Sequence, residues 1–230
     1  MKHDGRHKAR LVGDGHLTDV PLSRVYSGVV SLRGIRLVLF LAELNNLDSW
    51  GTDIGNACLE ACTEEKARII AGREFGPLEG HVLIINKTLY GLRTSGLRWH
   101  ERLSDCLRDM GHVPCKMEPD IWLKDCGTHY EYIAVHVDDL LFASKEPQSV
   151  IDTLINNHHF KLKGTGPISY HLGCDFGRDE DGTLHFAPRK HIEKMEEFYQ
   201  SMFGSKPKQI YMSPLEKGDY PELCIYKYLD

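Results

Sequence analysis

An α+β fold is what the sequence predicts, on three observations. Helix-like and strand-like apolar patterns are interleaved along the 230 residues. The strands do not recur at the regular βαβ interval of a doubly wound sheet. The clearest strands come in pairs joined across short polar turns. With 41% hydrophobic and 27% charged residues, the chain can bury a sizeable core in one large domain or two small ones.

The elements follow in order. Residues 35–44 carry Ile35, Leu37, Val38, Leu39, Phe40, Leu41 and Leu44 on nearly every side, which predicts a buried helix ended by Asn45 and Asn46. Val82 to Ile85 is a short β-branched run after Gly80 and predicts a buried strand. A second helix is expected over residues 97–110, with Leu103, Leu107 and Met110 on one face and Gly111 as its C-terminal cap. Residues 130–143 read as strand, tight turn at Asp138-Asp139, strand. In this reading Ile133, Val135 and Val137 face one side, and Ala134, His136 and Asp138 the other. A helix after Pro147 bears Val150, Leu154 and Ile155, and a strand follows near residues 160–163. The hairpin 171–177/184–187 closes across Asp179-Glu180-Asp181-Gly182, and a last helix covers about residues 190–202.

Composition excludes several classes. There is no run of eighteen apolar residues for a membrane span, and residues 1–15 are polar and basic with no signal-peptide core, so an intracellular protein, cytoplasmic or nuclear, is expected. Seven dispersed cysteines without a Cys-x-x-Cys pair read as reduced thiols, and the thirteen histidines show no zinc-type spacing with them. A formal charge of −5 argues against a general nucleic-acid binder but leaves room for local basic stripes.

The chemistry centres on carboxylates. Asp138 and Asp139 sit together at the tip of an apolar hairpin, and Asp53 stands in Trp50-Gly-Thr-Asp53-Ile after the first helix. Adjacent carboxylates on rigid strands repel unless a cation lies between them, and hard oxygen donors select Mg²⁺ or Mn²⁺. Three such groups can bridge two ions for an in-line phosphoryl displacement. On turn statistics alone an Asp-Asp pair in a hairpin is an ordinary solvated turn, and the metal reading needs context beyond spacing.

Longer blocks carry a resemblance. Lys8-Ala-Arg-Leu-Val12, Tyr26-Ser-Gly-Val-Val30, Ile35-Arg-Leu-Val-Leu39, Asp53-Ile-Gly-Asn-Ala-Cys-Leu59, Asn86-Lys-Thr-Leu-Tyr-Gly-Leu-Arg93, Arg98-Trp99, Val137-Asp-Asp-Leu-Leu141 and Tyr170-His-Leu-Gly173 occur in the order and spacing of one family. In these blocks the chain resembles the copia-type LTR-retrotransposon reverse transcriptases, from about residue 8 to 203. The resemblance implies a right-hand polymerase fold, with a ferredoxin-like palm, a fingers extension and a partial thumb from about residue 147. Residues 204–230, with Ser213-Pro-Leu215 and Tyr226, then resemble the start of a connection to an absent RNase H region. It further implies RNA-dependent DNA synthesis with two Mg²⁺ or Mn²⁺ ions, an RNA or DNA template with its primer, and deoxynucleoside triphosphates.

By the same resemblance Asp53, Asp138 and Asp139 are the catalytic metal ligands, Asp53 and Asp138 serving both ions. Lys8, Arg10, Cys58 and Thr94 line the nucleotide, and Tyr90, Gly91, Arg93, Arg98 and His136 meet template and primer. Trp99 reads as core. The sequence also departs from the pattern. Cys58 stands where the family carries an aromatic gate against the 2′-hydroxyl, so poor discrimination between deoxy- and ribonucleotides is expected. His136 replaces a tyrosine, Thr94 a glutamine that touches the nucleotide, and Asp14 a lysine. Two other readings stay open: an inactive retroelement relic, and a non-catalytic nucleic-acid-binding module of the RRM kind, whose sheet aromatics are nevertheless absent from residues 133–137. A nucleotide cyclase would share the palm but not the Leu-Tyr-Gly-Leu block.

Overall fold

A computed structural model of the chain describes residues 10–18 and 25–206. Lys8 and the connection after residue 206 lie outside the described residues. The chain divides into two compact units, residues 1–172 and 173–230.

In the first unit, helix α1 (Leu32–Leu44) begins at Ser31, whose hydroxyl accepts from the Gly34 N–H. Strand β1 (Asp48–Ile54) follows. A two-stranded ribbon comes next, β2 (Arg68–Ile70) and β3 (Val82–Ile84). Helix α2 (Ser95–Asp109) leads into β4 (Val113–Pro114), β5 (Ile121–Asp125), β6 (Tyr130–His136) and β7 (Asp139–Ser144). Helix α3 (Pro147–Asn156), β8 (Leu162–Pro167) and the short β9 (Tyr170–His171) complete the unit. Six strands form one antiparallel sheet in the order β4-β5-β6-β7-β1-β8.

The centre of this sheet is covered on both faces, which is why β6 and β7 read as continuous apolar runs. Ile133, Val135, Leu140 and Phe142 join Trp99, Leu103 and Leu107 of α2 and Ile151 and Leu154 of α3 in one cluster. Ala134, Leu141 and Ala143, alternate along the same strands, are buried on the opposite face, against which α1 lies.

The second unit holds the hairpin β10 (Cys174–Arg178) and β11 (Leu184–Ala187), with Phe176 and Phe186 stacked at 5.2 Å. Helix α4 (Arg189–Phe203) packs on β10, ends at Gly204 with φ 69°, and is joined to the strand by the Lys190–Asp175 ion pair at 2.8 Å.

Three expectations are corrected. Helix α1 is not buried all round: Leu37, Phe40 and Leu44 are exposed, and only the stripe Gly34, Ile35, Val38, Leu39 and Ala42 meets the sheet. Strand β3 is exposed, with Val82 at 60% and Ile84 at 75%, because among the described residues it pairs only with β2 and no layer covers it. Strand alternation stops at His136, since Val137 and Asp138 form the turn, and the orientation of Asp138 is set by that turn. Elsewhere the differences are of boundary: α2 starts at Ser95, and β8 at Leu162 because Phe160 is drawn into the core. The described cysteines are free thiols. No described helix is long and apolar enough to cross a membrane.

His171 is buried against β1 close to Gly51, and its Nε2 has no hydrogen-bond partner among the described residues. Burial, with a smaller push from His136, lowers its pKa from 6.5 to about 4. Between these values the unfolded chain takes up a proton that the folded chain refuses, so stability falls as pH drops from about 6.5 toward 4. The loss is on the order of 3 kcal/mol at one pKa unit per 1.36 kcal/mol. Thermal melts from pH 7 to 4 are expected to show His171→Gln losing less stability over this window than the parent chain. Parallel curves for the two proteins would contradict the assignment.

Candidate active site

The antiparallel register of β1 and β7 sets Asp53 directly opposite Asp139. Facing positions on neighbouring strands carry side chains on one side of a sheet, with Cβ atoms about 4.5–5.5 Å apart. Asp138 is the second residue of the two-residue turn between β6 and β7. Its carbonyl accepts from the Ile54 N–H at 2.8 Å, which ties the turn to the end of β1. The preceding Val137 has φ 60°. A β-branched residue in this left-handed region costs roughly 1–3 kcal/mol. The surroundings hold it there, because the buried indole of Trp99 donates from Nε1 to the Val137 carbonyl at 2.7 Å. Both carbonyls of the turn are therefore anchored, one by a helix of the core and one by the neighbouring strand.

Like charge shows in the titration of this group. Burial raises the Asp139 pKa, and Asp138 and Asp53 raise it further, while His136 partly offsets them. On the other flank of β1, Lys163 of β8 stands in register with Asp53, and its side chain runs over Gly55. A carboxylate-only donor set stressed by its own repulsion, and built on paired strands, fits hard divalent cations.

A second group surrounds the trio. Cys58 lies in the short 3-10 turn Ala57–Glu60 after β1. Burial pushes its thiol pKa up, Asp138 adds to this, and Arg10 and a hydrogen bond with Tyr90 oppose it. Burial likewise raises the Tyr90 phenol, followed by the charge of Cys58, with smaller contributions from Asp138 and Asp53 against Arg10. The Arg10 guanidinium sits 4.6 Å from the centroid of the Tyr90 ring. The backbone that brings Arg10 there crosses the Tyr90 segment closely. Val12 bridges to Tyr90, and the Gly13 N–H donates to the Tyr90 carbonyl at 2.7 Å. At Gly91, φ is 92° and a Cβ would fall 2.1 Å from the Gly13 carbonyl oxygen, so only glycine permits the crossing. Arg93 fastens the same segment, donating from Nε to the Gly15 carbonyl at 2.6 Å.

The structure thus gathers Asp53, Asp138, Asp139, Cys58, Tyr90 and Arg10, with His136 in register beside Asp139. Tyr90 lies against Arg10 and Cys58. Thr94 is buried, and its hydroxyl and N–H both donate to Glu65 Oε1, at 2.5 and 2.8 Å. Arg98 is engaged by Glu64 and Glu101. Sequence reasoning missed Lys163, whose signal was only a basic residue in a strand, and Glu65, which had none.

Similarity to known proteins fits this geometry. A family profile described as "Reverse transcriptase (RNA-dependent DNA polymerase)" matches residues 1–212. The chain belongs to the reverse transcriptase family. Among curated relatives of this reverse transcriptase chain, the retrovirus-related Pol polyprotein from transposon RE1 of Arabidopsis thaliana is 27% identical over 226 residues, 96% of the chain and 15% of that protein. The counterpart from transposon TNT 1-94 of Nicotiana tabacum is 26% identical over 220 residues, 90% of the chain and 16% of that protein. The Ty1-NL2 Gag-Pol polyprotein of Saccharomyces cerevisiae is 30% identical over 180 residues, 76% of the chain and 10% of that protein. The resemblance to copia-type elements therefore holds, and this reverse transcriptase chain spans about a sixth or less of the polyproteins it matches.

Proposed function

We propose that this chain catalyses template-directed DNA synthesis on RNA or DNA, extending a primer with deoxynucleoside triphosphates. The observation that carries the reading is the register placing Asp53 opposite Asp139, one residue from Asp138 at the turn. In this reading residues 1–203 are fingers and palm, with a partial thumb from about residue 147, and residues 204–230 lead toward an RNase H region.

Two Mg²⁺ or Mn²⁺ ions bound at the carboxylates would supply the Lewis acidity that readies the primer 3′-hydroxyl for attack on the α-phosphate and steadies the triphosphate. Asp53 and Asp138 would hold the ions, and Asp139 would add charge beside them. Arg10 would meet the triphosphate, where a guanidinium can pair two phosphate oxygens, and Lys8 is assigned to the same role from sequence. Lys163 offers a cation on the flank of Asp53. Tyr90 and Cys58 form the wall against the sugar. Gly91 and Arg93 position that wall, Thr94 secures it through Glu65, and Arg98 and His136 border the template and primer.

The test is primer extension by the full chain on an RNA template with Mg²⁺ or Mn²⁺, beside Asp138→Asn. Extension by the parent chain and its loss in the variant are expected. Primer binding without extension by either protein would instead favour a non-catalytic relic. The same assay with ribonucleotides is expected to show weak discrimination, because Cys58 is small; strong deoxy preference would defeat that part of the reading.

A further inference from the structure

The hairpin joining β5 to β6 carries a second concentration of ligand-type side chains. Cys126, His129 and Glu131 are half-buried, and their donor atoms all lie within 4.8 Å of one another, the sole such trio found among the described residues. The turn makes this possible. The Cys126 N–H donates to the His129 carbonyl at 2.9 Å, Gly127 adopts φ 79°, and its N–H donates to Asp125 Oδ1 at 2.8 Å. Cys126 and His129 are thereby folded back beside Glu131, the second residue of β6.

The hydrogen bonding of this trio is incomplete. Glu131 accepts from the Ser144 hydroxyl and from the Lys145 N–H at 3.2 Å, which fixes its carboxylate. His129 Nδ1 pairs with the Thr128 hydroxyl at 3.0 Å, whereas its Nε2, buried and 3.7 Å from Glu131 Oε1, has no hydrogen-bond partner among the described residues. The trio lines a cavity of about 360 Å³ shared with His112, Lys124 and Lys145. His112 is 2% exposed, and neither of its ring nitrogens has a hydrogen-bond partner among the described residues. Buried polar groups without partners are rare in folded proteins and call for an occupant. Lys145 is exposed and Lys124 half-buried, so both ammonium heads can stay in solvent while their stems border the cavity.

We infer that Cys126, His129 and Glu131 bind a zinc-type divalent cation, with the fourth position taken by water or His112. The donor set of one sulfur, one nitrogen and one oxygen suits Zn²⁺, whereas the aspartate trio suits Mg²⁺. Tetrahedral bonds of about 2.0–2.3 Å place ligand atoms roughly 3.3–3.8 Å apart, and the 3.7 Å between His129 and Glu131 lies in this range. The two sites are separate. Glu131 and His136 are five residues apart on β6, roughly 17 Å at about 3.4 Å per residue. The cation would clamp the β5-β6 hairpin at the end of the sheet away from the Val137–Asp138 turn. The sequence signal was Cys126-x-x-His129-x-Glu131, which the search for paired cysteines passes over.

The full chain titrated with Co²⁺ in excess Mg²⁺ is expected to bind one equivalent, with a thiolate-to-cobalt absorption band that Zn²⁺ abolishes. Zn²⁺ should also raise the melting temperature. Cys126→Ser should remove the band, and His129→Gln should weaken Zn²⁺ binding by at least ~100-fold. Cys62→Ser and Asp138→Asn should leave both signals unchanged, so the result does not depend on polymerase activity. Absence of the band, its survival in Cys126→Ser, or equal Zn²⁺ affinity in His129→Gln would overturn the assignment. If Cys126→Ser does not fold, His129→Gln carries the test alone.

Discussion

Asp139→Asn is expected to slow primer extension by about 10²–10³-fold, the usual effect of removing one electrostatic group from a reacting centre, while raising stability in a chelator. The two effects have one origin. Asp139 is partly buried opposite Asp53 and beside Asp138, and its pKa is raised. A carboxylate with a raised folded pKa opposes folding once it ionises, so at neutral pH its charge is a cost that the folded state carries. Asparagine keeps the shape and removes the charge. The gain is a few tenths to about 1 kcal/mol, because solvent screens a half-exposed group. Excess Mg²⁺ should reverse the order by binding the parent chain more tightly. Melts in chelator and in Mg²⁺, paired with single-nucleotide incorporation, check both halves. A variant that is less stable in chelator would refute the repulsion argument, and one of undiminished rate would remove Asp139 from the reaction.

Trp99→Ala should destabilise the chain by about 3–5 kcal/mol, the range for deleting a buried large aromatic. The ring is 2% exposed, meets Phe160 edge-on at 5.7 Å and lies in the cluster under the sheet. Against a total stability of roughly 5–15 kcal/mol, that loss can unfold much of the protein at 37 °C. Trp99→Phe separates packing from anchoring. It keeps most of the apolar contact and deletes the donor to the Val137 carbonyl, leaving a buried acceptor unpaired at about 1–3 kcal/mol. Its incorporation rate should fall more than its melting temperature implies, because the turn carrying Asp138 loses one of two anchors. Chemical denaturation and pre-steady-state incorporation measure the pair. Wild-type kinetics in Trp99→Phe would show that the turn does not need the indole.

Local pattern made some of this legible in sequence. The β6-β7 hairpin was readable because apolar runs on either side of the Asp138-Asp139 pair have few other solutions, although the turn itself falls one residue earlier, at Val137–Asp138, and α2 because Leu103, Leu107 and Gly111 mark its face and end. Burial was less readable. The apolar sides of α1 and β3 look alike whether a layer covers them or not, and Phe40 and Ile84 turned out exposed. The opposition of Asp53 and Asp139 is a pairing of residues far apart in the chain, fixed by the whole sheet. The meeting of Arg10, Tyr90 and Cys58 depends on a backbone crossing at Gly91 that no periodicity announces. Thr94 could not be placed without Glu65, its partner from another segment.

The register of β1 against β7 also makes chemistry a witness to folding. Side chains alternate along a strand, so a slip of one residue would turn Asp53 to the far side of the sheet from Asp139. A misaligned chain would be compact and yet chemically silent. Under the proposed function, nucleotide incorporation would count only those molecules whose strands have found their correct alignment, and specific activity would then measure folding fidelity as well as catalysis.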